Sequence, residues 1–152
     1  MNAAYGTEIN GGEMNKINLG RVLLGGLVAG IVIDIIEIVA NGLLAVDLTA
    51  TLKALGQQPP SRSAIVTFSA LGLVTGIASI WSYAAIRPRF GAGARTAVIA
   101  GLGIWVVGYA VPYAYNVAHG VLPFRLGVIL GLVGLVEIIL ACIAGSAVYK
   151  ER

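Results

Sequence analysis

Histidine and cysteine are nearly missing from this chain of 152 residues; His119 and Cys142 stand alone. One cysteine excludes an intrachain disulfide, and inside an apolar run the ordinary reading is a buried, inert thiol. One histidine excludes multi-histidine metal clusters and the paired axial ligands of a cytochrome b arrangement. Charge is scarce too. Only 11% of residues are Asp, Glu, Lys or Arg, against about 25% in ordinary soluble domains. The net charge of +3 is small, and the basic residues sit in hinges between apolar runs. They form no stripe of the kind that binds nucleic acid. No Ser-His-acid order stands out, and no E-x-x-H pair supports a di-iron bundle. The expectation leans against an enzyme, with no metal assigned and the cofactor question left open.

What the chain has instead is apolar length. Hydrophobic residues make up 58%, and the mean hydropathy is +0.90. A chain this apolar needs a bilayer around it. Glycine supplies 21 residues with no G-x-Y period, which excludes collagen and suits close helix approach in membranes. Four apolar runs of bilayer-crossing length follow one another, at about 19–45, 64–86, 96–117 and 126–149. Short connections predict one all-α membrane domain over 1–152, an antiparallel four-helix transmembrane bundle. Residues 1–15 are polar and glycine-rich and lack the pattern of a signal peptide, with 13–18 expected at the interface.

In the loop 46–63, Leu48, Leu52 and Leu55 recur at helical spacing. This predicts a short amphipathic helix along the membrane interface, ended by Gln57, Gln58, Pro59 and Pro60. Ser61 or Ser63 is placed to cap the next helix. Pro88 is expected to stop the second span. Pro112, with Gly108 a turn before it, predicts a kink in the third. Tyr109 is the interior candidate of that span, whereas Tyr113, Tyr115 and Asn116 suit an interfacial aromatic belt.

Charge asymmetry gives an orientation. Lys16, Arg21, Arg87, Arg89, Arg95, Lys150 and Arg152 fall on one side, and Lys53, Arg62 and Arg125 on the other. The positive-inside rule places both termini and the 87–95 hinge in the cytoplasm. Arg87, Arg89 and Arg95 form the densest basic cluster, which reads as a topology signal or a site for anionic lipid head groups.

The costly residues lie inside the spans. Gly30, Asp34, Glu37 and Asn41 follow at i, i+4, i+7 and i+11 on one face of the first span, over about 16 Å of rise. The fourth span places Gly134, Glu137 and Ala141 on a similar small-residue face. Nothing basic lies deep enough to neutralise these acids; Arg21 is about 20 Å along the axis from Asp34. Charged groups at that depth need a partner, and two like charges in a low dielectric do not both ionise cheaply. The acids therefore predict a site that passes a proton, holds a small cation, or hydrogen-bonds as neutral acids to Thr75, Ser79, Ser82 or Tyr109. Thr75, Ser79 and Ser82 share one face of the second span, although such hydroxyls can also bond their own helix.

Two functional classes follow. One is an accessory or oligomer-forming subunit of a membrane assembly, with a second copy or other membrane subunits as partners and the acids as protonated packing contacts. The other is a proton-coupled or small-cation transporter; a membrane enzyme or lipid-handling protein is a further alternative. A transporter should show a water-filled cleft around Glu37 and Glu137 open to one side, whereas a subunit should expose its glycine-rich faces to a partner and bury its acids without a cavity. The stretch YAAIRPRFGAGARTAVIAG is similar to bacterial membrane proteins, which points to a bacterial inner membrane. The four-span plan with a carboxylate in the first span resembles small multidrug resistance transporters, which implies proton-coupled export of a cation by a dimer. This chain is longer and carries two acids in that span and a third in the fourth, so no residue role is carried over.

Overall fold

The computed structural model describes residues 17–150 and is all-helical over that range. The expectation for residues 13–18 therefore falls mostly outside the described residues, as do Lys16 and Arg152 of the charge count. Helix α1 spans Leu19–Leu43, α2 Ala45–Ala54 and α3 Arg62–Phe90. The third long helix is α4, Ala94–Trp105, continued through a π-turn at Val106–Ala110 into α5, Val111–Ala118. Helix α6 spans Phe124–Val148. Four helical stretches, Leu19–Leu43, Arg62–Phe90, Ala94–Ala118 and Phe124–Val148, are long and apolar enough to cross a membrane. A 25-residue helix rises about 37 Å, more than the roughly 30 Å of a hydrocarbon core.

Local chemistry sets the ends. Asn18 caps α1 by accepting from the Arg21 amide. Ser61 caps α3 by accepting from the Ala64 amide. The amphipathic segment of the first loop is helix α2, with Leu48 and Leu52 half-buried and Leu55 exposed. Pro88 does not end the second long helix, which runs on to Phe90. A proline near a helix end removes a single N–H donor, and the turn survives that loss. Gly91 ends the helix at φ 84°, its amide donating back to the Arg87 carbonyl.

Glycine sets how closely the helices meet. A side chain at Gly76 of α3 would run into the backbone of Gly26 and Gly30 on α1. Gly25 of α1 and Gly145 of α6 face one another in the same way, each occupying the space a Cβ on the other would need. Helix α1 therefore packs closely on two partners, through Gly26 and Gly30 toward α3 and through Gly25 toward α6. These are small-residue contacts that bring backbones together.

Packing is uneven along the helices. The buried residues of α1 are Val22 to Ile33, with Ala40 alone beyond them. Those of α3 begin only at Gly72, and those of α6 are Leu126 and Gly127 and then Gly134 onward. Helix α5 buries none and packs substantially only against α6 and the π-turn. One half of the molecule is thus sealed around Ala29, Ile80, Ile138, Ala141 and Cys142. The other half, where α2 and the loop 119–123 lie, is splayed. At the sealed end Tyr149 stacks edge-on against Tyr83, with Arg87 over its ring.

Candidate site: a buried carboxylate where the packed and splayed halves meet

Glu137 sits in the middle of α6 with no exposed surface. Its Oε1 accepts a hydrogen bond from the Tyr109 hydroxyl at 2.6 Å. Its Oε2 is buried and has no hydrogen-bond partner among the described residues. Two local features bring the phenol to it. The π-turn inserts an extra residue into the third helix at 106–110 and re-aims the side chains there. Gly134, one turn before Glu137, lies under the Tyr109 ring, and a Cβ at that position would occupy the ring. The expected kink of the third helix takes the form of this π-turn. Pro112 follows directly, in the first turn of α5, and its missing N–H leaves the ladder one donor short at that point.

The acids of α1 lie at the edge of this centre. Asp34 is half-buried, with its carboxylate over Gly72 of α3 in the space a side chain there would fill. Glu37 is half-buried and within electrostatic reach of both Tyr109 and Glu137. Asp34 also acts on Glu137. Asn41 is exposed, and its amide donates to the Glu37 Oε2 at 2.7 Å and to the Glu37 carbonyl at 2.8 Å. The acids form one electrostatic group without converging on a point. Among the described residues, no three His, Cys, Asp or Glu side chains gather closely enough to hold one metal ion.

The hydroxyl stripe of α3 turns mostly to its own helix. Thr75 donates to the Leu71 carbonyl at 2.9 Å and Ser79 to the Thr75 carbonyl at 2.7 Å. Ser79 is fully buried beside the Cys142 thiol, and Ser82 is half-buried one turn on. The arginines of the hinge lie at the opposite, sealed end: Arg89 and Arg95 are exposed, and Arg87 is half-buried on Tyr149.

Tyr113 belongs to the site and was assigned above to the aromatic belt. It lies 6.4 Å from Tyr109, ring to ring, and within electrostatic reach of Glu37 and Glu137. Its spacing of four from Tyr109 is the signal that places both on one helix face. Trp105 is a second addition. Its indole donates to the Gly131 carbonyl of α6 at 2.8 Å, fixing α6 against the turn that carries Tyr109. An apolar cavity of about 430 Å³ opens between the third and fourth long helices, walled by Trp105, Tyr113, Val117, Phe124 and Val128, and its lining contains no acid.

A fully buried carboxyl with one oxygen held and one open can keep or exchange a proton, and the half-exposed Glu37 offers it a neighbour nearer the splayed end. Comparison with protein-family models, curated proteins and solved structures gives no match in any of the three, so the functional reading rests on this site alone.

Proposed function

We propose that the protein is an antiparallel four-span bundle of a bacterial inner membrane, with both termini cytoplasmic, that carries a proton or small cation through the Glu137 centre. The observation that carries this reading is Glu137 itself: a carboxyl with no exposed surface, one oxygen on Tyr109 and the other without a partner among the described residues. An acid with only a packing role gains most when both oxygens are satisfied, because an unmet buried polar atom costs about 1–3 kcal/mol. Its place supports the same reading. It stands between a sealed half and a splayed half, with Glu37 and Asn41 leading toward the splayed end. In this reading α2 lies along the outer interface and Arg87, Arg89 and Arg95 face the cytoplasm.

The glycines do not decide between transport and a subunit role: Gly25, Gly26, Gly30, Gly76 and Gly145 are taken up inside the chain, whereas Gly42, Gly103, Gly108 and Gly131 meet nothing within 4 Å. The acid-free lining of the cavity means that the transport reading rests on the Glu137 carboxyl and not on a cleft. The test is flux of protons and of small cations into proteoliposomes, comparing the wild type with E37Q and E137Q. Transport should fall at least tenfold in E137Q and clearly in E37Q. Equal flux in all three proteins would end the transport reading.

A further inference from the structure

The Glu137 Oε2 sets a specific requirement on its ligand. The atom is fully buried and accepts no hydrogen bond among the described residues. The groups that act on this carboxyl are Tyr109 from the π-turn and Glu37 and Asp34 from α1; Tyr113 of α5 feels it in turn. Helix α3 contributes no titratable group to this set, and on α6 the nearest is the buried Cys142, five residues on. None of these is a cation, so an ionised Glu137 would be a buried charge beside two more acids, with a large desolvation cost offset only by the Tyr109 hydrogen bond. A metal ion would need several oxygens at defined distances, and the acids do not converge on one position. The remaining positive species that needs a single oxygen, and no space beyond a bond length, is the proton.

We propose that Glu137 Oε2 is a proton-binding site loaded from the splayed end through Glu37, with the Tyr113 hydroxyl or water between them. On loading, an O–H bond forms at Oε2 as the O–H bond of the Glu37 carboxyl breaks. A relaying hydroxyl takes one proton and gives up its own, and Glu37 is reprotonated by a hydronium ion at the splayed end, which leaves as water. Tyr109 keeps its hydrogen bond to Oε1 throughout, which holds the carboxyl in one orientation. In the other half Ile80, Ile138 and Ala141 are all buried, which favours loading from the splayed end. The use of the site in transport rests on the function proposed above; proton binding itself does not.

Infrared spectroscopy of the whole chain in lipid nanodiscs, labelled with carbon-13 glutamate, tests this directly. The wild type at neutral pH should show the carbonyl stretch of a protonated, buried glutamic acid. That band should be absent in E137Q and shifted in Y109F, which removes the donor to the same carboxyl. Its hydrogen–deuterium exchange should slow at least tenfold in E37Q. If E137Q does not fold, the Y109F shift and the E37Q exchange rate are read on Glu137 itself. A wild type lacking the band, a band that Y109F does not shift, or exchange unaltered by E37Q would overturn the site. A band that behaves as expected in a protein without flux would keep the proton site and remove only the transport function.

Discussion

The Tyr109 hydroxyl reaches across 28 residues of sequence to the Glu137 carboxyl, 2.6 Å away in the interior. The bond joins the one irregular turn of the third long helix to the single acid of α6, which is fully buried. Hydrogen bonds to a buried acidic group are worth more than neutral ones at a surface, and removing the donor leaves the acceptor unsatisfied. Y109F should therefore destabilise the folded protein by about 1–3 kcal/mol, read from reversible unfolding in mixed micelles. Y115F, at an exposed tyrosine of α5, should change stability by less than about 0.5 kcal/mol.

Gly134 makes that bond possible. A methyl group there would fall in the Tyr109 ring, whereas at Gly131, one turn earlier, a Cβ meets nothing within 4 Å. G134A should displace the phenol and lose at least as much stability as Y109F, about 1–3 kcal/mol, the usual range for overpacking. G131A should be neutral or stabilising by up to about 1 kcal/mol, the difference in helix propensity. The two substitutions are chemically identical and three residues apart on one helix. Unfolding curves that match for the pair would contradict the ring's placement.

Part of this arrangement was legible in the sequence and part was not, for physical reasons. Apolar length marks the four long helices, and Ser61 declares the start of α3 by its side chain. Gly91 lies only three residues beyond Pro88, and nothing local says which of them ends the helix. Periodicity put Asp34, Glu37 and Glu137 each on a small-residue face, but it weighs them alike. Their different burial depends on what the neighbouring helix offers: Gly72 opposite Asp34, and Tyr109 with Gly134 at Glu137. Thr75 and Ser79 look the same in sequence whether they bond a neighbour or their own helix. The π-turn was legible only as a weakness at Gly108 and Pro112, because an inserted residue depends on how the third helix packs against α6.

The orientation in the membrane has a direct chemical test. The native Cys142 is fully buried, so a membrane-impermeant thiol reagent should leave the wild type unlabelled in intact cells. Gln57 and Ala92 are both exposed and lie in opposite connections, which makes Q57C and A92C suitable reporters. With both termini cytoplasmic, Q57C should label from outside in cells whose outer membrane is permeabilised, and A92C only after the inner membrane is opened. The reverse pattern would invert the topology. Labelling of both from one side would refute four spans.

The contact between α1 and α3 is among the most demanding of the described residues, because backbone meets backbone there, as it does between Gly25 and Gly145. A Cβ at Gly76 would meet the backbone of Gly26 and Gly30, and backbone cannot turn aside as a long side chain can. The helices would have to separate along their whole packed length, forfeiting dispersion contacts that no lipid tail restores at the same density. G76A should therefore cost at least about 3 kcal/mol, the upper part of the overpacking range. It should do so although alanine is the better helix former by about 1 kcal/mol. G103A makes the same change in α4 at a position with nothing within 4 Å, and should leave stability unchanged or raised. If the loss in G76A comes from helix separation, it should also expose the Glu137 centre. Hydrogen exchange at the Ser79 and Ile80 amides should then quicken more than at the Leu126 and Gly127 amides, where α6 meets the third helix away from α1. Uniform exchange across all four would mean that the damage is global rather than at this seam.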